Sequence, residues 1–190
     1  NNNVPNITGI IYVNNATVSI IVGNEFDWSL VSSYVPWFEI PPSSGNWVSF
    51  PISEGIVLES DNGVVFANNV VDVTYNDVVG AYDTIYAVSI KDSHNAVVYG
   101  NNITALGHTY IYGLQMNGEH FVIVNNTIKT ESDNYYANGI DIEGPGYGVI
   151  YNNEIETIGV ESAYAIYSGM NGKNVSNIYS KNVIHAEAYN

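Results

Sequence analysis

From Gly55 onward the chain alternates apolar and polar positions in short stretches and shows no helical spacing. A small residue followed by an apolar one recurs as Ala87-Val88, Gly113-Leu114, Gly139-Ile140 and Ala165-Ile166, each 26 residues after the last, with Gly55-Ile56 standing 32 residues ahead of Ala87-Val88. The apolar positions then step by two (Val88/Ile90, Leu114/Met116, Ile140/Ile142), the period of a strand with one buried face. A second motif follows each of these strands. It reads Val64-Val65-Phe66-Ala67-Asn68-Asn69-Val70, Val97-Val98-Tyr99-Gly100-Asn101-Asn102-Ile103, Val122-Ile123-Val124-Asn125-Asn126-Thr127-Ile128 and Val149-Ile150-Tyr151-Asn152-Asn153-Glu154-Ile155, with a looser copy at Ile178–Ile184.

Two strands per period with no helix between them predict an all-β solenoid, a right-handed parallel β-helix whose coils stack at roughly 4.8 Å. Its inward residues are expected to be Val88, Ile90, Leu114, Met116, Ile140, Ile142 and Ile166, joined by Val122, Val124, Ile128, Val149, Tyr151 and Ile155. Simple alternation would also carry Val97, Tyr99, Asn101 and Ile103 to one side. The column Asn68, Asn101, Asn126, Asn153 and Asn182 is expected to form an amide ladder, because stacked side-chain amides can satisfy one another at an inward bend. Coil length drifts, which places variable loops within Asp72–Ile85, Ala105–Tyr112, Lys129–Ala137 and Glu156–Tyr164.

The repeated Val-x-Ile/Tyr-x-Asn-Asn-x-Ile unit resembles the right-handed parallel β-helix repeats of pectate-lyase-like proteins. It looks closest to the adhesin-like surface proteins of archaea and bacteria. The resemblance covers Gly55 to Asn190 and implies architecture more than activity.

Residues 1–54 are unmatched, which sets a boundary near 54 between a β-rich cap or extension (1–54) and the repeats (55–190). Five of the six Pro and all three Trp lie before residue 52. Ile7–Val13 and Thr17–Val22 read as strands around Asn14-Asn15. Trp28, Trp37, Phe38 and Trp47 would cover the first coil, whose open edge needs a cap; a sugar-stacking platform is the alternative. Ile7–Val13 would either pair within its own chain or add to a neighbour's edge, the latter building a head-to-tail filament.

Charge narrows the function classes. Nineteen acidic residues stand against four Lys and no Arg, a net charge of −15. Nucleic acid and anionic membrane surfaces are therefore not expected partners. There is no Cys, so disulfides and thiolate metal sites are excluded. No apolar run approaches a membrane span. The start, Asn1-Asn2-Asn3-Val4-Pro5, lacks a signal-peptide layout, so a mature secreted product or an excerpt of a longer chain is expected.

Enzymes of the resembled fold imply residues that can be checked. The lyases imply a basic residue, commonly Arg, beside carboxylate-bound calcium, and this chain has no Arg. The polygalacturonase-like hydrolases imply clustered Asp, Gly-His-Gly and Arg-x-Lys, and here only Gly107-His108-Thr109 is found. The remaining acid pair is Asp141 and Glu143, pointing outward between Ile140 and Ile142 and roughly 7 Å apart by strand geometry. The pair could serve inverting hydrolysis, hold calcium with Asp133 or Glu119, or form a solvated acidic face. His94 and His120 share the 26-residue step, although the second-strand alignment pairs His94 with Glu119 instead. Sequons place possible N-glycosylation at Asn6, Asn15, Asn102, Asn125 and Asn174. The expectation is an extracellular, non-enzymatic structural or adhesin-like module of a stalk, surface layer or filament, associating end to end with its own kind. The alternative is a carbohydrate-active or sugar-binding β-helix using the acidic face around Asp141.

Overall fold

A computed structural model describes residues 11–14, 16–31, 53–59, 62–76, 84–144, 146–169 and 176–189. Trp37, Phe38, Trp47 and the sequon residues Asn6, Asn15 and Asn174 lie outside them. Every element among the described residues is a strand: β1 Ile11–Asn14, β2 Ser19–Val22, β3 Glu25–Val31, β4 Ser53–Glu59, β5 Val64–Ala67, β6 Val70–Asn76, β7 Thr84–Tyr99, β8 Asn102–Gly107, β9 Tyr110–Val124, β10 Thr127–Ser132, β11 Tyr136–Glu143, β12 Tyr147–Tyr151, β13 Glu154–Gly159, β14 Ser162–Gly169, β15 Ser176–Ser180 and β16 Val183–Ala188.

All pairings among the described residues are parallel, and each strand pairs with its equivalent one coil away, the signature of a β-solenoid. Each coil has three faces. The first runs β1-β4-β7-β9-β11-β14; the second takes β2, β5, the later halves of β7 and β9, β12 and β15; both belong to a 10-stranded sheet. The third face is a 6-stranded sheet in the order β16-β13-β10-β8-β6-β3. Strands β1, β2 and β3, from the part expected as a cap or extension, pair with β4, β5 and β6. Ile11–Asn14 lies against Ile56–Glu59 of its own chain, so this part of the run expected to exchange is paired internally.

On the first face the alternation holds. Val88, Ile90, Leu114, Met116, Ile140 and Ile142 are buried, and Ile166 packs partly buried against them. On the second face the phase is opposite to the expected one. Ala96, Val98, Phe121, Ile123 and Ile150 fill the core, whereas Val97, Tyr99, Val122, Val124, Val149 and Tyr151 turn outward. The cause is the corner between the second and third faces. Asn68, Gly100, Asn125, Asn152 and Lys181 adopt φ of 54–64°, the left-handed region that Gly and Asn tolerate best. One left-handed residue resets the alternation, so Asn101, Ile103, Ile128 and Ile155 point inward although Val97 and Tyr99 do not.

The same corner separates the two asparagines of the Asn-Asn motif. The first makes the turn and the second enters the core. The ladder therefore runs Asn24, Asn69, Asn101, Asn126, Asn153, Asn182, and Asn68, expected in it, is a corner residue instead. An amide offers two acceptor sites and two donors, and the ladder uses all four. Asn126 Oδ1 accepts from the backbone N and Nδ2 of Asn101 (3.0 and 2.9 Å). Its Nδ2 donates to Asn153 Oδ1 at 2.9 Å and to the Val98 carbonyl at 3.0 Å. With Asn69 in place of Asn68, the ladder step to Asn101 becomes 32 residues, matching the step from Ile56 to Val88.

The small residue that begins each first-face repeat also acquires a reason. A Cβ at Gly113 would lie 3.0 Å from Thr130 Cγ2, and one at Gly139 would lie 3.1 Å from Thr157 Oγ1. By register, Val73, Ala105, Thr130, Thr157 and Ala186 form one column of the third face. Size is exchanged across the core: Gly55, Gly113 and Gly139 share coils with branched Val73, Thr130 and Thr157, while Ala87 and Ala165 share theirs with Ala105 and Ala186. The combined size of these two facing positions is thereby kept similar in the inner coils, as close packing demands.

Candidate functional site

Outward residues of the first face also form columns, and two of them build the candidate site. One runs Val57, Ser89, Gln115, Asp141, Tyr167; the other includes Tyr86, Tyr112, Asn138 and Tyr164. Asp141 lies between core residues Ile140 and Ile142, so its side chain leaves the sheet on the outer side. It is nevertheless only 3% exposed, and Val57, Ser89 and Gln115 of the same column are buried as well. A solvated acidic face, one of the readings open from sequence, does not describe Asp141.

Ser89 Oγ donates to Gln115 Oε1 at 2.6 Å, and Gln115 Nε2 donates to Glu143 Oε2 at 3.2 Å. Asp141 Oδ1 and Asn138 Oδ1 are both buried without a hydrogen-bond partner. The rings of Tyr86 and Tyr112 lie beside them with centroids 4.6 Å apart. Burial, reinforced by the nearby Glu143 charge, pushes the Asp141 carboxyl up to about 7. Burial together with Asp141 and Glu143 pushes the Tyr112 phenol up to about 12. At neutral pH this cluster thus holds a carboxyl poised between its two protonation states and two acceptor oxygens in want of a donor. Such a group can exchange a proton with, or accept a hydrogen bond from, a hydroxyl-bearing ligand.

The raised value gives a signed pH prediction. Asp141 binds its proton more tightly folded than unfolded, where 3.8 applies. Its ionisation therefore opposes folding as pH rises from about 4 to about 7, and the penalty is complete above that window. Asp141→Asn should raise the melting temperature at pH 8, and the gain should vanish by pH 3.5. A gain independent of pH would show that the carboxyl's ionisation is not what strains the fold.

Glu119 pairs with His94 at 3.2 Å, as the second-strand alignment expects, and Asp133 contacts His108. Among the described residues no three His, Asp or Glu side chains gather to hold a metal ion. His120 is aligned with Asn95, not His94, because the sheet register slips between Ile90 and Ser93, and its ring stacks on Tyr147 at 5.8 Å. Sequon residues Asn102 and Asn125 are exposed, and Asn125 Oδ1 accepts from Asn152 Nδ2 at 2.8 Å. Ser89, Gln115, Asn138 and Tyr112 were not singled out from sequence. The signal was available, since 89, 115 and 141, and equally 86, 112 and 138, follow the same 26-residue step.

Compared with protein-family models, curated proteins and solved structures, the chain matches none.

Proposed function

We propose that this chain is a structural module of an extracellular surface assembly, an adhesin-like stalk, layer or filament segment whose stacked coils serve as a spacer. The observation that carries this reading is the amide ladder, which ties every described coil to the next from Asn24 to Asn182. A solenoid transmits stability between neighbours only, so a fully satisfied bond line along the axis suits a rod that bears load or holds distance. The strongly acidic composition, the absence of Arg and the exposed sequon residues Asn102 and Asn125 are consistent with an outward-facing surface protein whose copies or neighbouring segments stack end to end.

A second reading is favoured by one specific observation, the buried and unpartnered oxygens of Asp141 and Asn138 beside Tyr86 and Tyr112. They would accept hydrogen bonds from a sugar hydroxyl brought against this face. A panel of acidic and neutral polysaccharides, tested for depolymerisation and binding with and without calcium, separates the two. The structural reading expects neither turnover nor binding that depends on Asp141. Turnover abolished by Asp141→Asn would replace it with the carbohydrate-active reading.

A further inference from the structure

The second face differs from the other two in a way that neither the ladder nor the Asp141 cluster uses. Its strands read Ser-Ile-Ile-Val, Val-Val-Phe-Ala, Asn-Ala-Val-Val-Tyr, His-Phe-Val-Ile-Val, Tyr-Gly-Val-Ile-Tyr and Ser-Asn-Ile-Tyr-Ser, without one Asp, Glu, Lys or Arg. The third face, by contrast, carries Glu25, Asp27, Asp72, Glu131, Glu154, Glu156 and Glu187. Parallel strands that are apolar on both sides are normally covered on both sides. Here the outer side is open. Ile20, Val65, Val97, Val122, Val149 and Ile178 stand in one register column across the stack. At its centre Val97, Val122 and Val149 are 39%, 37% and 38% exposed, with Val22, Tyr99 and Tyr151 alongside.

We infer that this face packs against the same face of a second copy of the chain, two solenoids lying side by side. This deepens the structural reading above and rests on it for the choice of partner. Charge supports that choice. At a net charge of −15, two copies repel wherever their carboxylates meet. The strands of the second face are where identical molecules can touch without opposing carboxylates, the Lys181 ammonium lying at the margin over the Tyr151 ring. Shape agrees, because a flat column of β-branched side chains fits another sheet at roughly 10 Å separation. A planar sugar polymer would ask for aromatic rings at the centre, where this face has valines.

The size of the face sets the strength. Six strands at about 4.8 Å and about 3.3 Å per residue make it roughly 24 by 13 Å. This is below the roughly 800 Å² per partner of a standard stable interface. The contact is therefore reversible between free molecules and becomes persistent where a surface assembly holds copies side by side.

The test combines sedimentation velocity over a concentration series with a single introduced cysteine, clean because the chain has none of its own. The expected result is a monomer–dimer equilibrium that strengthens with added sodium sulfate, as carboxylate repulsion is screened and apolar burial favoured. Val122→Glu should abolish the dimer while the circular dichroism spectrum and melting temperature stay within error of the parent. Val122→Cys should give an intermolecular disulfide on mild oxidation, several-fold faster than a cysteine placed at exposed Thr127 of the third face. A monomer at all concentrations and salts, dimers indifferent to Val122→Glu, or retention on insoluble cellulose or chitin lost in Val122→Glu without any dimer would each overturn the inference. The polysaccharide panel reads Asp141 on another face, so failure of the structural reading would register there and not here.

Discussion

Gly139→Ala is expected to destabilise the fold by about 3 kcal/mol, a large effect for one methyl group. The added Cβ would lie 2.5 Å from Ile155 Cγ2, 2.6 Å from the Ala165 carbonyl oxygen and 3.1 Å from Thr157 Oγ1. Neither the backbone of the next coil nor a buried branched residue can yield without loosening the stack. The size exchange across the core supplies the control. Ala87 and Ala165 occupy the same column as Gly139, in coils whose third-face partner is Ala. Adding Thr157→Ala to Gly139→Ala recreates that pairing and should recover part of the loss, the more so because Thr157 Oγ1 is buried without a partner. Chemical denaturation of the two single variants and the double variant measures the coupling directly. Strict additivity would mean that the coils do not trade volume between these positions.

Asn126→Ala should cost roughly 4 kcal/mol. The loss leaves the Asn101 backbone N–H and Nδ2 without their acceptor and the Val98 carbonyl without a donor, all in buried surroundings. Each such orphan costs about 1–3 kcal/mol. The neighbouring residue gives the contrast. Asn125 is exposed, holds the corner at φ 55° and shares one surface bond with Asn152, so Asn125→Gly should change stability by no more than about 0.5 kcal/mol. Equal melting temperatures for Asn126→Ala and the parent would remove the ladder from any account of stability.

These two positions also mark what the chain discloses as a string of letters. The first-face register was legible because Val88 and Ile90, Leu114 and Met116, and Ile140 and Ile142 alternate with residues of different polarity. The second-face phase was not, because Val97-Val98-Tyr99 and Val122-Ile123-Val124 are apolar on both sides and offer no contrast from which to choose. Simple alternation runs straight through Gly100 and Asn125, whereas both adopt the left-handed conformation that reverses it. The same reversal moves the ladder position from Asn68 to Asn69. At the candidate site, the outward direction of Asp141 followed from its neighbours in sequence. Its burial did not, since what shields an outward side chain arrives from elsewhere in the fold.

In a stack of parallel coils the amide line has a sense. At each step the backbone N–H and Nδ2 of the earlier asparagine point to the oxygen of the later one, from Asn24 to Asn182, and never the reverse. The rod is therefore a vector, acceptor-led at one extremity and donor-led at the other. Were two such rods joined in line, the amide line would continue across the joint only nose to tail, because a nose-to-nose joint would set its oxygens against each other. Any coil spliced between Asn101 and Asn126 must bring its own asparagine facing the same way, and one that does so can be repeated without limit on length.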